Sequence, residues 1–257
     1  MKLNLARRPM LALLGLAPLA GRTQVHNLNE AINKAGRQRM LSQRCAKAYL
    51  ALGQGVKREQ AEPVLAESMA LFDRQLVELR AFAPSTPTRD TFADMDQQWS
   101  RHKLLLVGNA PSRPRAEALL ASTQQLLQAA QRGTEQLEEL SGKPAGRLVN
   151  LAGRQRMLSQ RLAMLYLAQA WQLPVEPGSL RQAQAEFLAA QARLKADPGS
   201  PPAALAELER VDQQFVFFAA ALQGTSERSR ALEEVFSTSE RMLQLLDRIT
   251  QLYARQA

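Results

Sequence analysis

The apolar positions of this chain recur every three or four residues over long stretches, and no stretch alternates as a strand would. Gly and Pro interrupt this pattern at intervals, and these interruptions predict where helices end. Four helices are predicted in the first half, over about residues 26–52, 58–82, 89–107 and 115–140. In the second half the breaks fall at 174–178, 197–202 and 224, which predicts four more.

The two halves of the chain are copies of one unit. The ten residues 35–44 (AGRQRMLSQR) recur without change at 152–161, and Asp96-Gln-Gln-Trp99 matches Asp212-Gln-Gln-Phe215. Ser122-Thr123 matches Ser237-Thr238, so the repeat spans about 115 residues. Because short connections make neighbouring helices antiparallel, the predicted fold class is all-α, with two tandem antiparallel four-helix bundles.

The first residues have the pattern of an export signal. Lys2, Arg7 and Arg8 precede an apolar run from Pro9 to Ala20, which is shorter than the roughly 20 residues of a membrane span. We expect a Sec signal, with a twin-arginine signal as the alternative. We also expect a periplasmic mature chain without a transmembrane helix. The predicted domains are the export signal at 1–22, a first module at 23–140 and a second module at 141–257.

The composition limits the classes of function. The formal net charge is +9, but the basic residues are scattered among Glu and Gln on helix faces, so nucleic acid is not an expected partner. His26 and His102 are the only histidines and Cys45 is the only cysteine, which leaves no metal-ligand spacing. No nucleophile with a base and no phosphate-binding loop is recognisable, so we expect no enzyme activity and no cofactor.

The unchanged ten-residue block carries the candidate chemistry. On a helix, Arg39 and Gln43 interrupt an apolar stripe that includes Ala35 and Ala46. Gly36 lies beside this stripe, where a glycine lets another backbone or a ligand come close. The equivalent residues of the second copy are Arg156, Gln160 and Gly153. The pattern predicts a pocket with a guanidinium directed into it.

Two interpretations of these arginines stay open at this point. Two facing guanidinium forks suit a small planar oxyanion, whose oxygens accept paired hydrogen bonds. Alternatively, the arginines form internal salt bridges, because a buried Arg without an acid or an anion is destabilising. The candidate acids lie on the third helices, at Asp94, Asp96, Glu209 and Asp212.

The block from Asn33 to Arg44, with its second copy, resembles the start of the PilJ/NarX-type sensor domain. This domain opens type IV pilus chemotaxis transducers and nitrate/nitrite sensor kinases, and the form AGRQRMLSQR is most similar to the PilJ branch. The resemblance covers residues 26–257 and implies periplasmic four-helix bundles. It implies that Arg39 and Arg156, each three residues after the motif glycine, grip an anion across a dimer axis. Arg44 and Arg161 match a second motif arginine with a more indirect role.

The expected function is therefore non-enzymatic, periplasmic ligand sensing. A small nitrate- or nitrite-like anion would bind between the motif arginines, and a membrane-bound receptor or kinase would respond to the occupied state. We expect the two modules to pack side by side as a pseudo-dimer, because end-to-end packing would separate the arginines. A homodimer of the whole chain is an open alternative. The candidate ligand-binding residues are Arg39, Arg156, Gly36, Gly153, Asn33, Asn150, Gln43, Gln160, Arg44 and Arg161.

The alternative function is a ligand-free interaction module that docks onto a membrane chemoreceptor or pilus machinery. In that case the motif arginines form internal salt bridges. An exposed apolar stripe on the last helix would favour this alternative. The residues of that stripe are Val235, Phe236, Met242, Leu246 and Ile249.

Overall fold

The computed structural model describes residues 25–223 and 227–256, and every regular element in these ranges is an α-helix. The predicted export signal at residues 1–22 lies outside the described residues. The helices are α1 (Leu28–Gly53), α2 (Arg58–Phe82), α3 (Thr86–Leu106), α4 (Arg113–Ser141), α5 (Pro144–Ala170), α6 (Ser179–Ala196), α7 (Pro202–Leu222) and α8 (Arg228–Ala254). None of them is long and apolar enough to cross a membrane.

Local capping fixes several of the helix ends. Asn27 caps α1 by accepting a hydrogen bond of 2.9 Å from the backbone N–H of Glu30. Ser85 and Thr88 form a capping box at the start of α3, which begins three residues before the predicted start. The prediction failed there because Pro87 is compatible with a first helical turn and does not break the helix.

The predicted fold class is confirmed. In the first module α1 packs against α2 and α4, and α3 completes the bundle against α4. In the second module α5 packs against α6 and α8, and α7 completes the bundle against α8. The two modules lie side by side, because α1 and α5 pack along each other at the centre of the molecule.

The first helix of each module is buried on nearly all sides, since it contacts its own bundle and the opposite first helix. Small residues permit this close packing: Ala31, Ala35 and Ala46 of α1 have no exposed surface, and Ala163 of α5 has none either. This double burial gives a physical reason why the first helices changed less between the two copies than the other helices did.

Aromatic pairs fill the remainder of each bundle. Trp99 stacks on Phe72 with ring centroids 3.9 Å apart, and Phe215 stacks on Phe187 at 4.8 Å. The apolar stripe of the last helix is also part of the core. Its residues Val235, Phe236, Met242, Leu246 and Ile249 are all at most 1% exposed. The last helix therefore does not expose the apolar stripe that would favour the interaction module.

Candidate functional site

Arg39 of α1 and Arg156 of α5 lie side by side in the interface between the modules, and both are fully buried. A Cβ placed on Gly153 would lie 3.3 Å from Nη2 of Arg39 and 3.4 Å from Nη2 of Arg156. A Cβ on Gly36 would lie 3.1 Å and 3.8 Å from the same two nitrogens. The two guanidinium groups thus occupy the space that the two facing glycines leave open.

Each guanidinium is bound by an asparagine of the opposite module. Nη2 of Arg39 donates to Oδ1 of Asn150 at 2.7 Å and to its carbonyl oxygen at 3.3 Å. Nη2 of Arg156 donates to Oδ1 of Asn33 at 2.8 Å and to its carbonyl oxygen at 3.1 Å. These crossed contacts follow a pseudo-two-fold axis that relates the two modules.

The fourth helices break this symmetry. Nη1 of Arg156 donates to Oδ1 of Asp247 at 2.7 Å, and Arg37 shares this carboxylate at 3.2 Å. Nη1 of Arg39 donates instead to the amide oxygen of Gln131 at 2.5 Å. Among the described residues, no carboxylate forms an ion pair with Arg39, so the site holds two guanidinium groups and one contacting acid.

The expected internal partners on the third helices are wrong. Asp94 forms an ion pair with Arg132, Asp96 with Arg80 and Asp212 with Lys195, while Glu209 is exposed. These acids occupy the outer faces of the bundles, where Asp94, Asp96 and Asp212 pair with the exposed basic residues of neighbouring helices. The acid that contacts Arg156 is instead Asp247, on the last helix.

Burial and mutual repulsion act on the arginine pair. Burial, with repulsion from Arg156 and Arg154, lowers the pKa of Arg39 to about 9, and the attraction of Glu135 and Glu138 opposes this shift only in part. Burial lowers the pKa of Arg156 to about 10, although the attraction of Asp247 opposes this shift. Both groups carry a charge at neutral pH, and the Nε atoms of both have no hydrogen-bond partner. Additional negative charge beside Arg39 would therefore stabilise the site.

The second motif arginines also differ between the modules. Nε of Arg44 lies 3.1 Å and 3.2 Å from the two carboxylate oxygens of Glu240, and Nη2 donates to the same group at 2.5 Å. Arg161 donates one hydrogen bond of 3.1 Å, to the amide oxygen of Gln124. An acid on α8 therefore faces Arg44, whereas an amide on α4 faces Arg161.

A buried lysine accompanies Glu240. Nζ of Lys47 lies 2.5 Å from Glu240, 2.7 Å from Oε1 of Gln160 and 2.9 Å from Oγ of Ser239. In the second copy Met164 stands at the position of Lys47, so the equivalent donor is missing. The amide oxygen of Gln43 is accordingly buried without a partner.

The structure brings six of the ten predicted site residues together: Asn33, Gly36, Arg39, Asn150, Gly153 and Arg156. The other four lie further along the same two helices and have separate partners. Arg44 pairs with Glu240, Gln160 accepts from Lys47, Arg161 donates to Gln124, and Gln43 donates to the neighbouring Ser42. Sequence reasoning missed Gln131, Asp247, Lys47 and Glu240.

The alignment of Ser122-Thr123 with Ser237-Thr238 is one residue out of register. The signal for the correct register is Leu126-Leu-Gln128 against Met242-Leu-Gln244, which matches Gln124 with Glu240 and Gln131 with Asp247.

The single cysteine, Cys45, and His102 are both buried in the first bundle. Burial raises the pKa of Cys45 to about 12. Burial lowers the pKa of His102 to about 4, and its Nδ1 lies 2.9 Å from Oγ of Ser122. Within the described ranges, no group of three or more His, Cys, Asp or Glu side chains could hold a metal ion.

The described helices thus form two side-by-side bundles that meet at a shared arginine pair. The family model of the type IV pili methyl-accepting chemotaxis transducer N-terminal domain, PilJ, matches the chain twice, over residues 22–134 and 139–249. The chain therefore belongs to the PilJ family and contains two tandem copies of its domain. Domains of this family are periplasmic, non-enzymatic sensor modules of chemoreceptor transducers. The comparisons with curated proteins and with solved structures give no match.

Proposed function

We propose that this protein is exported to the periplasm and binds a small oxyanion, of the size and shape of nitrate or nitrite, between Arg39 and Arg156. The observation that carries the proposal is the environment of Arg39. Its guanidinium is fully buried beside a second cation, and its hydrogen bonds go only to neutral oxygens. A buried cation in this position is destabilising unless an anion compensates it.

A cleft leads from the surface to Arg39. It has a volume of about 420 Å³, and Arg39, Gln131 and Asn150 are among its lining residues. Three further arginines and three acids also line it, so basic side chains outnumber acidic ones by one: Arg147, Arg154, Arg193, Glu135, Glu138 and Glu139. The two amides that bind Arg39 also donate to acids, Gln131 to Glu135 and Asn150 to Glu138. An entering anion could replace an amide oxygen on the guanidinium, and charge-assisted hydrogen bonds are roughly twice as strong as those between neutral groups.

The position of the site links binding to the packing of the modules. An anion between Arg39 and Arg156 touches both α1 and α5, whose contact is the main connection between the bundles. Binding would favour the arrangement of these helices that places both forks on the anion, and a ligand shifts an equilibrium by its differential affinity. A membrane-bound receptor or kinase could respond to this arrangement.

The test is a thermal unfolding series with nitrate, nitrite and small carboxylates, on the wild type and an Arg39→Ala/Arg156→Ala variant. An anion at 100 times its Kd adds about 2.7 kcal/mol, which raises Tm by several degrees. We expect one anion to stabilise the wild type and not the variant. The matched control is Arg80→Ala/Arg210→Ala, which removes the same charge from exposed positions and should keep the response.

The second candidate function is the interaction module. The crossed bonds from Arg39 to Asn150 and from Arg156 to Asn33 favour it, because they join the two modules without any ligand. In that case no anion stabilises the wild type, while the double variant is strongly destabilised. A chemoreceptor or pilus component would then be the partner to seek.

A further inference from the structure

A second basic site lies in a groove between α4, α5 and α6, here called the α4–α6 groove. Its volume is about 500 Å³, which is in the range of small-molecule sites. It shares two lining residues, Gln131 and Arg154, with the cleft that leads to Arg39. The residues that line it include Gln124, Arg154, Met157, Leu158, Arg161 and Glu186.

Comparison of the two sides of the pseudo-two-fold axis shows that the groove lacks the carboxylate that pairs with Arg44 on the opposite side. On the opposite side of the molecule, the carboxylate of Glu240 fills the fork of Arg44. In the groove, Arg161 occupies the position of Arg44, and Gln124 occupies the position of Glu240. The neutral amide accepts one hydrogen bond from Arg161, so the remaining guanidinium donors have no carboxylate.

The other charges of the groove leave it with a basic excess. Arg154 forms an ion pair of 2.7 Å with Glu186, and Arg132 forms one of 3.1 Å with Asp94. Glu186 also accepts a hydrogen bond from Gln182. Burial lowers the pKa of Arg161, and the more distant Glu186 only partly opposes this. Arg161 is therefore the cation of this groove that lacks an ion-pair partner among the described residues.

The floor of the groove is apolar. Met157 and Leu158 of α5 are nearly buried beneath it, and Leu127 and Ala183 stand on either side. A simple inorganic anion would leave this floor uncovered. A ligand with a carboxylate at one end and an apolar body would satisfy Arg161 and cover the floor.

We propose that the α4–α6 groove binds a small organic monocarboxylate, with Arg161 gripping its carboxylate in the way that Arg44 grips Glu240. The apolar body lies against Met157 and Leu158. This site is separate from the Arg39–Arg156 pair, and it does not depend on anion binding there. The ligand supplies the negative charge that the chain itself supplies on the other side.

The test titrates the full chain with benzoate and butyrate as probes and with benzyl alcohol as the neutral analogue. Affinity is measured by calorimetry, and the position of binding is measured by the NMR signal of the Met157 methyl group. We expect saturable binding of a carboxylate that shifts the Met157 signal, and much weaker binding of the alcohol. Gln124→Glu places a carboxylate beside Arg161, so it should reduce the affinity at least about tenfold.

Gln125→Glu is the matched control, because it adds the same charge to the same helix at an exposed position outside the groove. It should leave the affinity nearly unchanged. Arg161→Gln should also abolish carboxylate binding, and unchanged unfolding of that variant would show that the fold survives. The proposal is overturned if neither carboxylate binds, if benzyl alcohol binds as tightly, or if both glutamate variants weaken binding equally.

Discussion

At the scale of single residues, the two sides of the pseudo-two-fold axis differ at one buried pair of positions. On one side, Lys47 of α1 lies beside Glu240 of α8, and both side chains are largely removed from water. On the other side, the equivalent positions are Met164 of α5 and Gln124 of α4. Both members of the pair differ together, as expected if a buried charge is stable only with its partner.

This difference gives a double-mutant prediction. Glu240→Gln leaves Lys47 and Arg44 without their acid, and it should lower the free energy of unfolding by about 3–5 kcal/mol. The further change Lys47→Met reproduces the Met164–Gln124 pair on the other side of the axis and should recover most of the loss. Urea unfolding of the two single variants and the double variant measures this coupling. The control is Glu62→Gln, which removes an exposed helical ion pair and should have little effect.

The ion pair of Glu240 also predicts how the free energy of unfolding depends on pH. Burial alone would raise the pKa of Glu240, but Lys47 and Arg44 outweigh it and hold the pKa at about 2. The folded protein therefore keeps this carboxylate ionised where the unfolded chain protonates it, and the resulting stability is lost as the pH falls from about 4.5 to about 2. The wild type should lose more free energy of unfolding over this range than the double variant. Equal losses of unfolding free energy in the wild type and the double variant would contradict the ion pair between Glu240 and Lys47.

At the scale of elements, the close contact of α1 with α5 determines the geometry of the arginine site. Glycines at 36 and 153 leave room for both guanidinium groups between the helices. The crossed asparagines then fix the orientation of each fork. Neither first helix contains the site by itself, because each supplies an arginine and the asparagine for the opposite arginine.

Gly153→Ala tests this geometry. The new methyl group would lie 3.3–3.4 Å from both Nη2 atoms, so both forks must shift. The higher helix propensity of Ala, about 1 kcal/mol, should offset part of the strain, and the free energy of unfolding should change little. The stabilisation by an anion should be lost, as measured by thermal melts with and without it. A variant that responds like the wild type would exclude anion binding between these two forks.

Some features of these elements follow from the sequence alone, and others do not. Eight helices, their approximate ends and the unchanged block follow from local pattern, because periodicity, glycine and proline act within one segment. The partners on the fourth helices could not be predicted in the same way. Asp247 and Gln131 reach their arginines only through tertiary packing, and nothing near them in the sequence marks their role. The third-helix acids were attractive candidates for their charge, yet packing directs them outward.

At the scale of the whole molecule, the pseudo-two-fold axis relates two modules whose fourth helices carry different charges. Glu240 and Asp247 of α8 supply acids along one side of the α1–α5 pair. The equivalent residues of α4 are Gln124 and Gln131 on the other side. The two modules are therefore complementary in charge and not interchangeable.

This complementarity predicts how the modules behave when residues 25–141 and 144–256 are produced separately. Two second modules can pair with each other, because Arg161 of each would meet Glu240 of the other. Two first modules would bury Arg44 and Lys47 against Gln124, without an acid. Sedimentation should show stronger self-association for the second module, and an equimolar mixture should form the mixed pair. Equal self-association of both modules would contradict the role of these charges.

The connection between α4 and α5 consists of Gly142 and Lys143, and Gly142 turns the chain with a φ of 57°. Because of this tether, the encounter of the two modules is intramolecular, with a high effective concentration. A site assembled from separate chains would empty as the protein became dilute, whereas this one keeps both arginines together at any copy number. For the anion binding proposed above, the anion concentration that half-saturates the site should therefore not depend on how strongly the gene is expressed.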